Sequence, residues 1–407
     1  MNKDTYCHYP FKAIAIKDYK GDKLQAFWPC CMMGNDRESH NINALEVENP
    51  HLLTPQEMFD HPRMEELRNN LSNGVRDSAC KTCWDQEDRG LKSFRHFSND
   101  EFNLGNNGLE LVDITASNIC NLRCRMCSPT SSNLLMMDTK YFKDRGMEKE
   151  ALSVVKRWGM SEPSRATESI QWDWLMENTH KIKVLKASGG EPFYDNKVVQ
   201  LLNRYVETGD AKNTYLSFHT NATQFTPEIV ELLNHFKQNK HTFSIDGTNK
   251  VYEYIRYPAN FKEMESSVLN YIQNVKNYDP ILNFTMVVSA HNVLNIADYI
   301  EWAKQIYPGV SIYFAEIYDM DRGIALKHMP VHLLEYAKSQ VTKYIYRASG
   351  REDGHVLNLI RQIDLAISNN IENKELLKNE TTLFDMSRDQ SYRDFLHPDL
   401  VSWLDNE

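Results

Sequence analysis

All eight cysteines of this 407-residue chain lie in its first third, and the last three, Cys120, Cys124 and Cys127, are spaced three and then two residues apart. No other feature restricts the fold as much. The stretch 109–117, LELVDITAS, alternates as a half-buried strand does and runs directly into these cysteines. Three thiols are thereby put on one tight turn at a strand's end. At this cysteine frequency, chance yields such a triplet in about one chain in several hundred.

A structural zinc site takes four ligands, commonly from paired C-x-x-C knuckles, and no fourth Cys or His lies close to this loop in sequence. Three thiolates on a four-iron cluster leave one iron free for a cofactor. The surroundings suit bound metal better than disulfides. Residues 1–7 lack the apolar core of a signal peptide, and no stretch reaches the 18 apolar residues of a membrane span, so the expectation is a cytoplasmic protein with reduced thiols. A formal net charge of -10 disfavours a nucleic-acid partner, and 41% hydrophobic with 25% charged residues excludes a disordered chain.

Beyond the triplet, apolar runs at 182–187, 215–219, 241–245, 281–289 and 310–317 read as strands. Between them, 196–208, 226–238, 261–277 and 295–306 have helical spacing. The repeated βα pattern predicts a parallel sheet with right-handed crossovers, whose reacting groups collect at the carboxyl ends of the strands. Motifs fall at those ends. The strand at 182–187 leads into Ser188-Gly189-Gly190-Glu191-Pro192, the next ends at His219-Thr220-Asn221-Ala222, and the one after at Ser244-Ile245-Asp246-Gly247, with Arg256 downstream. Read alone, Gly-Gly is a strand-to-helix turn, Asp246-Gly247 an ordinary turn and Arg256 half of a surface ion pair.

Taken together, Cys120-x3-Cys124-x2-Cys127 after a strand and Gly189-Gly190-Glu191-Pro192 one βα unit later resemble the radical S-adenosylmethionine enzymes. The resemblance implies an α/β fold, a partial (βα)6 TIM-like barrel. It implies a 4Fe-4S cluster on Cys120, Cys124 and Cys127, with S-adenosylmethionine chelating the free iron. Met126 would pack near the adenine, Ser188, Gly189, Gly190 and Glu191 would hold the methionine ammonium, and Asn221, Ser244, Asp246 and Arg256 would make polar contacts to ribose or carboxylate. Ala222 stands where many relatives have glycine. The Ser-x-Asp-Gly and Arg stretch is similar to that of the subgroup modifying peptides and proteins.

The first hundred residues hold Cys7, Cys30, Cys31, Cys80 and Cys83 around a helical stretch at 54–71. They resemble the twitch or SPASM modules that carry an auxiliary iron–sulfur cluster, although those modules usually follow the barrel. Cys7, Cys30, Cys80 and Cys83 supply four thiolates with Cys31 left over; Cys30 and Cys31 are interchangeable on sequence, and zinc is the alternative metal. The expected divisions are 1–104 for this small α+β module, 105–325 for the barrel and 326–407 for a helical carboxy-terminal cap or docking surface. His328 and His332 read as loop histidines because of Pro330, and Trp158, Trp172 and Trp174 as core.

The function so implied is reductive cleavage of S-adenosylmethionine to a 5′-deoxyadenosyl radical that abstracts a substrate hydrogen, with barrel and amino-terminal module together excluding water. The net reaction is an oxidation or crosslink of a peptide or protein side chain, driven by a reduced flavodoxin- or ferredoxin-type donor. Small-molecule dehydrogenase or epimerase activity, and a non-catalytic iron–sulfur or zinc protein serving binding or electron transfer, are the alternatives.

Overall fold

In the computed structural model of the chain, the described residues are 4–20, 23–33, 45–46, 49–88, 93–98, 104, 108–149, 151, 170–317, 322–346 and 353–406. Six parallel strands lie where the apolar runs predict them: β4 (Leu111–Thr115), β5 (Val184–Ser188), β6 (Tyr215–Thr220), β8 (Thr242–Ser244), β9 (Asn283–Val288) and β10 (Ser311–Glu316). Three more, β1 (Ala13–Lys20), β2 (Lys23–Trp28) and β3 (Leu45–Glu46), come from the amino-terminal segment, and the short β7 (Gln238–Asn239) pairs with β6 off the main path. The sheet runs β10-β9-β8-β6-β5-β4-β1-β2-β3. It is a mixed α/β sheet resembling a partial barrel, followed by a carboxy-terminal helical region.

Strand alternation explains which face is covered. Leu216, Phe218, Phe243, Phe284, Met286, Ile312 and Phe314 are buried in one apolar core with the helices Asn196–Thr208 and Phe261–Asn274. The intervening residues, among them Ser217, His219, Ser244, Thr285 and Tyr313, are half-buried or exposed. The helix Asn196–Thr208 begins where sequence expects because the Asp195 carboxylate accepts from the Lys197 N–H at 2.9 Å, and it ends at Gly209 with φ 77°.

The amino-terminal segment joins the sheet as its continuation. β1 pairs in parallel with β4, Ala13 opposite Leu111 and Ile16 opposite Ile114, and β2 returns antiparallel to β1. The helical stretch at 54–71 is two helices, Pro55–Phe59 under a Thr54–Glu57 capping box and Pro62–Ser72. The break falls where Pro62 cannot donate a helical N–H. His328 ends a 3-10 turn, Leu326–His328, whereas His332 lies in the first turn of the helix Val331–Thr342, because Pro330 caps that helix rather than interrupting it. Trp172 is buried and Trp174 packs beside it in the core; Trp158 lies outside the described residues.

Two cysteine groups emerge at opposite ends of this sheet. Cys7 precedes β1, and Cys30 follows β2, whose Trp28 pairs with Ala15, so both lie at the end where β1 and β4 begin. Cys120 follows the opposite end of β4. The four residue steps of β4 alone separate the two ends by about 13 Å, at about 3.3 Å per residue.

Candidate functional site

The cysteine triplet is held by its own turn and by three neighbouring loops. Asn133 donates its N–H to the Asn118 carbonyl at 2.8 Å, and the Asn118 amide donates to the Pro129 carbonyl at 2.9 Å, closing the turn on itself. Cys120 and Cys124 are buried with Leu122, and Met126, Cys127 and Ala259 pack against them. Met126 therefore borders the thiols while also touching the main core.

The Gly189-Gly190-Glu191 loop closes directly on this turn. A Cβ on Gly190 would stand 2.0 Å from the Ile119 carbonyl oxygen, and one on Gly189 would stand 2.6 Å from that of Ser117. The two glycines, at φ 80° and 40°, thus permit close approach to the strand that feeds the cysteines. The Glu191 N–H then donates to the Ile119 carbonyl at 2.8 Å. Ser188 ends β5, its carbonyl accepting from the Ala116 N–H at 3.0 Å.

Glu191 is 1% exposed, and its carboxylate accepts from the Asn221 N–H at 2.6 Å, the Thr220 hydroxyl at 2.7 Å and the Phe193 N–H at 3.2 Å. Burial pushes its carboxyl up to about 7, although these three donors favour the charged form. The Asn221 amide donates to the Asn121 side chain at 2.8 Å and approaches the Cys120 sulfur at 4.0 Å. The Leu122 N–H reaches the same sulfur at 3.4 Å. Ala222 takes φ 62°, so the backbone adopts the left-handed geometry a glycine would favour even though a methyl is present.

Asp246 and Arg256 are neither a simple turn nor a surface pair. They form an ion pair, Nη2 to Oδ2 at 2.6 Å, with Asp246 fully buried and anchored by the Val287 N–H at 2.7 Å. Arg256 Nη1 lies 3.9 Å from the Cys124 sulfur. Burial raises the Asp246 carboxyl against the opposing pull of Arg256; it works against the Arg256 charge too, but Asp246 and Cys124 hold that charge in place. Ser244 pairs through its backbone with Thr285 of β9 and is half-buried.

Burial pushes the Cys120 thiol up to about 12. A hydrogen bond between Cys124 and Cys127 raises the first thiol and lowers the second. Three sulfurs, the carboxyls of Glu191 and Asp246 and one guanidinium meet in a region where all but the half-buried Cys127 are buried. Among the described residues no group of three or more His, Cys, Asp or Glu side chains is arranged to enclose a single metal ion.

What sequence reasoning missed is the partner on the far side of the loop. Arg123 pairs with buried Asp138 at 3.1 Å, and Arg388 meets the same carboxylate. Arg125 pairs with Asp385. Arg322 donates to the Arg125 carbonyl at 2.7 Å and pairs with Glu380. The helix Lys374–Arg388 supplies Glu380, Asp385 and Arg388, so the carboxy-terminal region is built into the cysteine loop rather than being a remote cap. Two arginines flanking a cysteine within a buried turn were the sequence signal for such acids.

At the other end of the sheet, Cys7, Cys30, Cys80 and Cys83 line one cavity with Trp84, Phe94 and Arg95. Cys31 is half-buried and does not line it. Burial pushes Cys7 up to about 12 and raises Cys30, Cys80 and Cys83 as well. The four thiols share this cavity, but among the described residues they are not arranged as a group that could hold a single metal ion. The expectation that this segment encloses the triplet is corrected, since the cavity sits at the starts of β1 and β4 and packs with Leu111 and Val184.

Residues 114–303 match the family model described as the Radical SAM superfamily. That stretch, a little under half of the chain, is thus similar to the domain of that superfamily, a likeness that supports enzymatic activity and implies S-adenosylmethionine and iron–sulfur cofactor use in general terms. Among solved structures the chain is similar to Streptococcus suis SuiB bound to precursor peptide SuiA, at 15% identity over 77% of this chain and 57% of that one, TM-score 0.36. It is also similar to native anSMEcpe with bound AdoMet, at 14% identity over 65% of this chain and 63% of that one, TM-score 0.39. The chain thus spans less than two thirds of either. No curated protein matches it in sequence. Among the described residues no helix is long and apolar enough to cross a membrane.

Proposed function

We propose that the chain is a radical S-adenosylmethionine enzyme whose cluster is held by Cys120, Cys124 and Cys127, and that it oxidises or crosslinks a peptide or protein side chain. The observation that carries the reading is the convergence of three thiols from one turn with Glu191 and Asn221, which follow two successive parallel strands, and Arg256, which ends the helix Asn249–Ile255. Three sulfurs with no fourth Cys or His close to them in sequence suit a four-iron cluster with one iron left for the cofactor. That cluster, with S-adenosylmethionine bound, supplies a 5′-deoxyadenosyl radical by one-electron cleavage of the sulfonium.

The chain's own residues bind, orient and exclude water. Glu191, already bonded by Asn221, Thr220 and Phe193, offers a carboxylate to the cofactor ammonium. Arg256 keeps its Nε without a partner among the described residues, a donor suited to the cofactor carboxylate. Met126 offers an apolar, polarisable wall for the adenine, and Ser188, Gly189, Gly190, Ser244 and Asp246 complete the cofactor side. Burial of Cys120, Cys124 and Glu191 keeps bulk water from the reacting centre.

Cys7, Cys30, Cys80 and Cys83 are the ligands of an auxiliary cluster in a twitch or SPASM-like segment, with zinc as the competing metal. Lying at the far strand ends, it suits electron transfer better than direct contact with the reacting carbon. The divisions at 104 and 325, a flavodoxin- or ferredoxin-type donor and a cytoplasmic setting belong to the same reading.

The test is anaerobic reconstitution followed by dithionite and S-adenosylmethionine, read for 5′-deoxyadenosine with and without candidate peptides. About seven to eight irons per chain are expected with two clusters, and about four if the amino-terminal site takes zinc. Cys120→Ala, Cys124→Ala and Cys127→Ala together should abolish 5′-deoxyadenosine; persistence of cleavage refutes the assignment.

A further inference from the structure

We infer that Arg256 is a positioning residue that sets the reduction potential of the cluster on the triplet, by holding a guanidinium N–H against the Cys124 sulfur. The inference rests on the cluster assignment above and goes beyond it. Its basis is a register between two loops. The Arg123 N–H donates to the Tyr257 carbonyl at 2.8 Å and the Arg125 N–H to the Ile255 carbonyl at 2.9 Å. The residues between those two bonds, Cys124 on one segment and Arg256 on the other, are therefore set opposite each other.

The guanidinium has little freedom to leave. Nη1 lies 3.9 Å from the Cys124 sulfur, Nη2 is 2.6 Å from Asp246 Oδ2, and Asp246 Oδ1 is fixed by the Val287 N–H at 2.7 Å. Arg256 is 7% exposed and Asp246 fully buried, so neither charge is much screened by solvent. A planar, always-charged fork answers sulfur and carboxylate at once and keeps a further N–H, that of Nε, without a partner among the described residues.

The electrostatic consequence has a definite sign. One-electron reduction adds negative charge that spreads onto the cysteine sulfurs, and a cation donating to one of those sulfurs stabilises the reduced form more than the oxidised form. The electron comes from the external reductant, and no bond to Cys124 forms or breaks. Arg256 thereby raises the potential, bringing the cluster within reach of its donor.

The test uses the full chain, anaerobically reconstituted without S-adenosylmethionine, titrated with dithionite and followed by the electron paramagnetic resonance of the reduced cluster beside its iron content. For Arg256→Gln the oxidised-to-reduced ratio at the wild-type midpoint should rise about tenfold, equivalent to 59 mV for a one-electron couple. Arg256→Lys, which keeps the charge and loses the fork, should fall between. Full iron content with an unchanged midpoint in both variants overturns the inference. If Arg256→Gln loses its iron, Arg256→Lys decides: a lowered midpoint supports the inference and a wild-type midpoint refutes it. A wild-type chain with no reducible cluster would instead overturn the functional assignment, and this inference with it.

Discussion

Arg125, between the second and third cysteines of the triplet, donates to Asp385 at 2.6 Å across 260 residues of sequence, and both side chains are buried. Asp385 also accepts from the Tyr254 hydroxyl at 2.7 Å and the Tyr392 N–H at 2.7 Å. Replacing Asp385 with Ala leaves the buried Arg125 charge without its carboxylate, although the Tyr254 and Thr381 carbonyls and Gln390 still accept from the guanidinium, and strands two further donors, which costs about 3–5 kcal/mol. Chemical denaturation of Asp385→Ala should show a loss of that size, and iron retained after reconstitution should fall. The exposed pair Lys338–Asp364 is the control; Asp364→Ala should change stability by less than about 1 kcal/mol.

Glu191 makes stability depend on pH in a direction opposite to an ordinary paired carboxylate. Its carboxyl is raised from 4.5 to about 7 by burial, so the native state holds a proton that the unfolded chain releases. The resulting stabilisation is complete below pH 4.5, declines between the two values, and is gone once pH has risen through the folded value. Glu191→Gln should remove this decline from the metal-free protein. Denaturation midpoints of the two proteins between about pH 5 and 8 should therefore diverge with rising pH, the variant becoming relatively more stable; parallel profiles would refute the prediction.

A methyl at Gly190 meets the Ile119 carbonyl at 2.0 Å, and this glycine's φ of +40° adds backbone strain. Gly190→Ala should displace the turn that bears Cys120, destabilising the chain by about 1–3 kcal/mol and lowering the iron retained. Gly209, at φ +77° with open space where a methyl would stand, separates the two causes. Gly209→Ala should incur only the conformational cost, about 1–2 kcal/mol, and keep its iron.

Ala222 is the reverse case, a side chain in a glycine-like conformation at φ 62°. Ala222→Gly removes about 1–2 kcal/mol of strain and adds about 0.5–1 kcal/mol of unfolded-state entropy. A net gain of up to about 1.5 kcal/mol is expected from urea unfolding of the metal-free chain.

The two adjacent thiols of the amino-terminal segment should behave differently. Cys30 lines the cavity with Cys7, Cys80 and Cys83 while Cys31 does not. Metal analysis of Cys30→Ser should show loss of the amino-terminal metal, and Cys31→Ser should retain it. Equal retention in both would remove Cys30 from the ligand set.

Local periodicity made the strands legible, and the helix Asn196–Thr208 was readable to its end residues because Asp195 and Gly209 punctuate it. Long-range pairing was not legible in the same way. Nothing in the alternation of 13–20 says that its neighbour is β4, nor that the helix Lys374–Arg388 supplies the acids that Arg123-Cys124-Arg125 needs nearby. Asp246 and Arg256 read separately as a turn and a surface cation, because their partnership exists only once two loops meet. The glycines at 189 and 190 read in sequence as a strand-to-helix turn, whereas their structural use is to let the loop lie against the chain that leads into the cysteines.

The ladder between β1 and β4 has a consequence for dissecting the protein. Were the first hundred residues cut away, the first strand of the parallel series would be stripped of its cover along Leu111–Ile114 and would offer a row of raw N–H and C=O groups to any passing chain. A trimmed core of this kind should clump at concentrations where the full chain stays dispersed. The amino-terminal segment is thus a selvedge of the sheet as much as a holder of thiols.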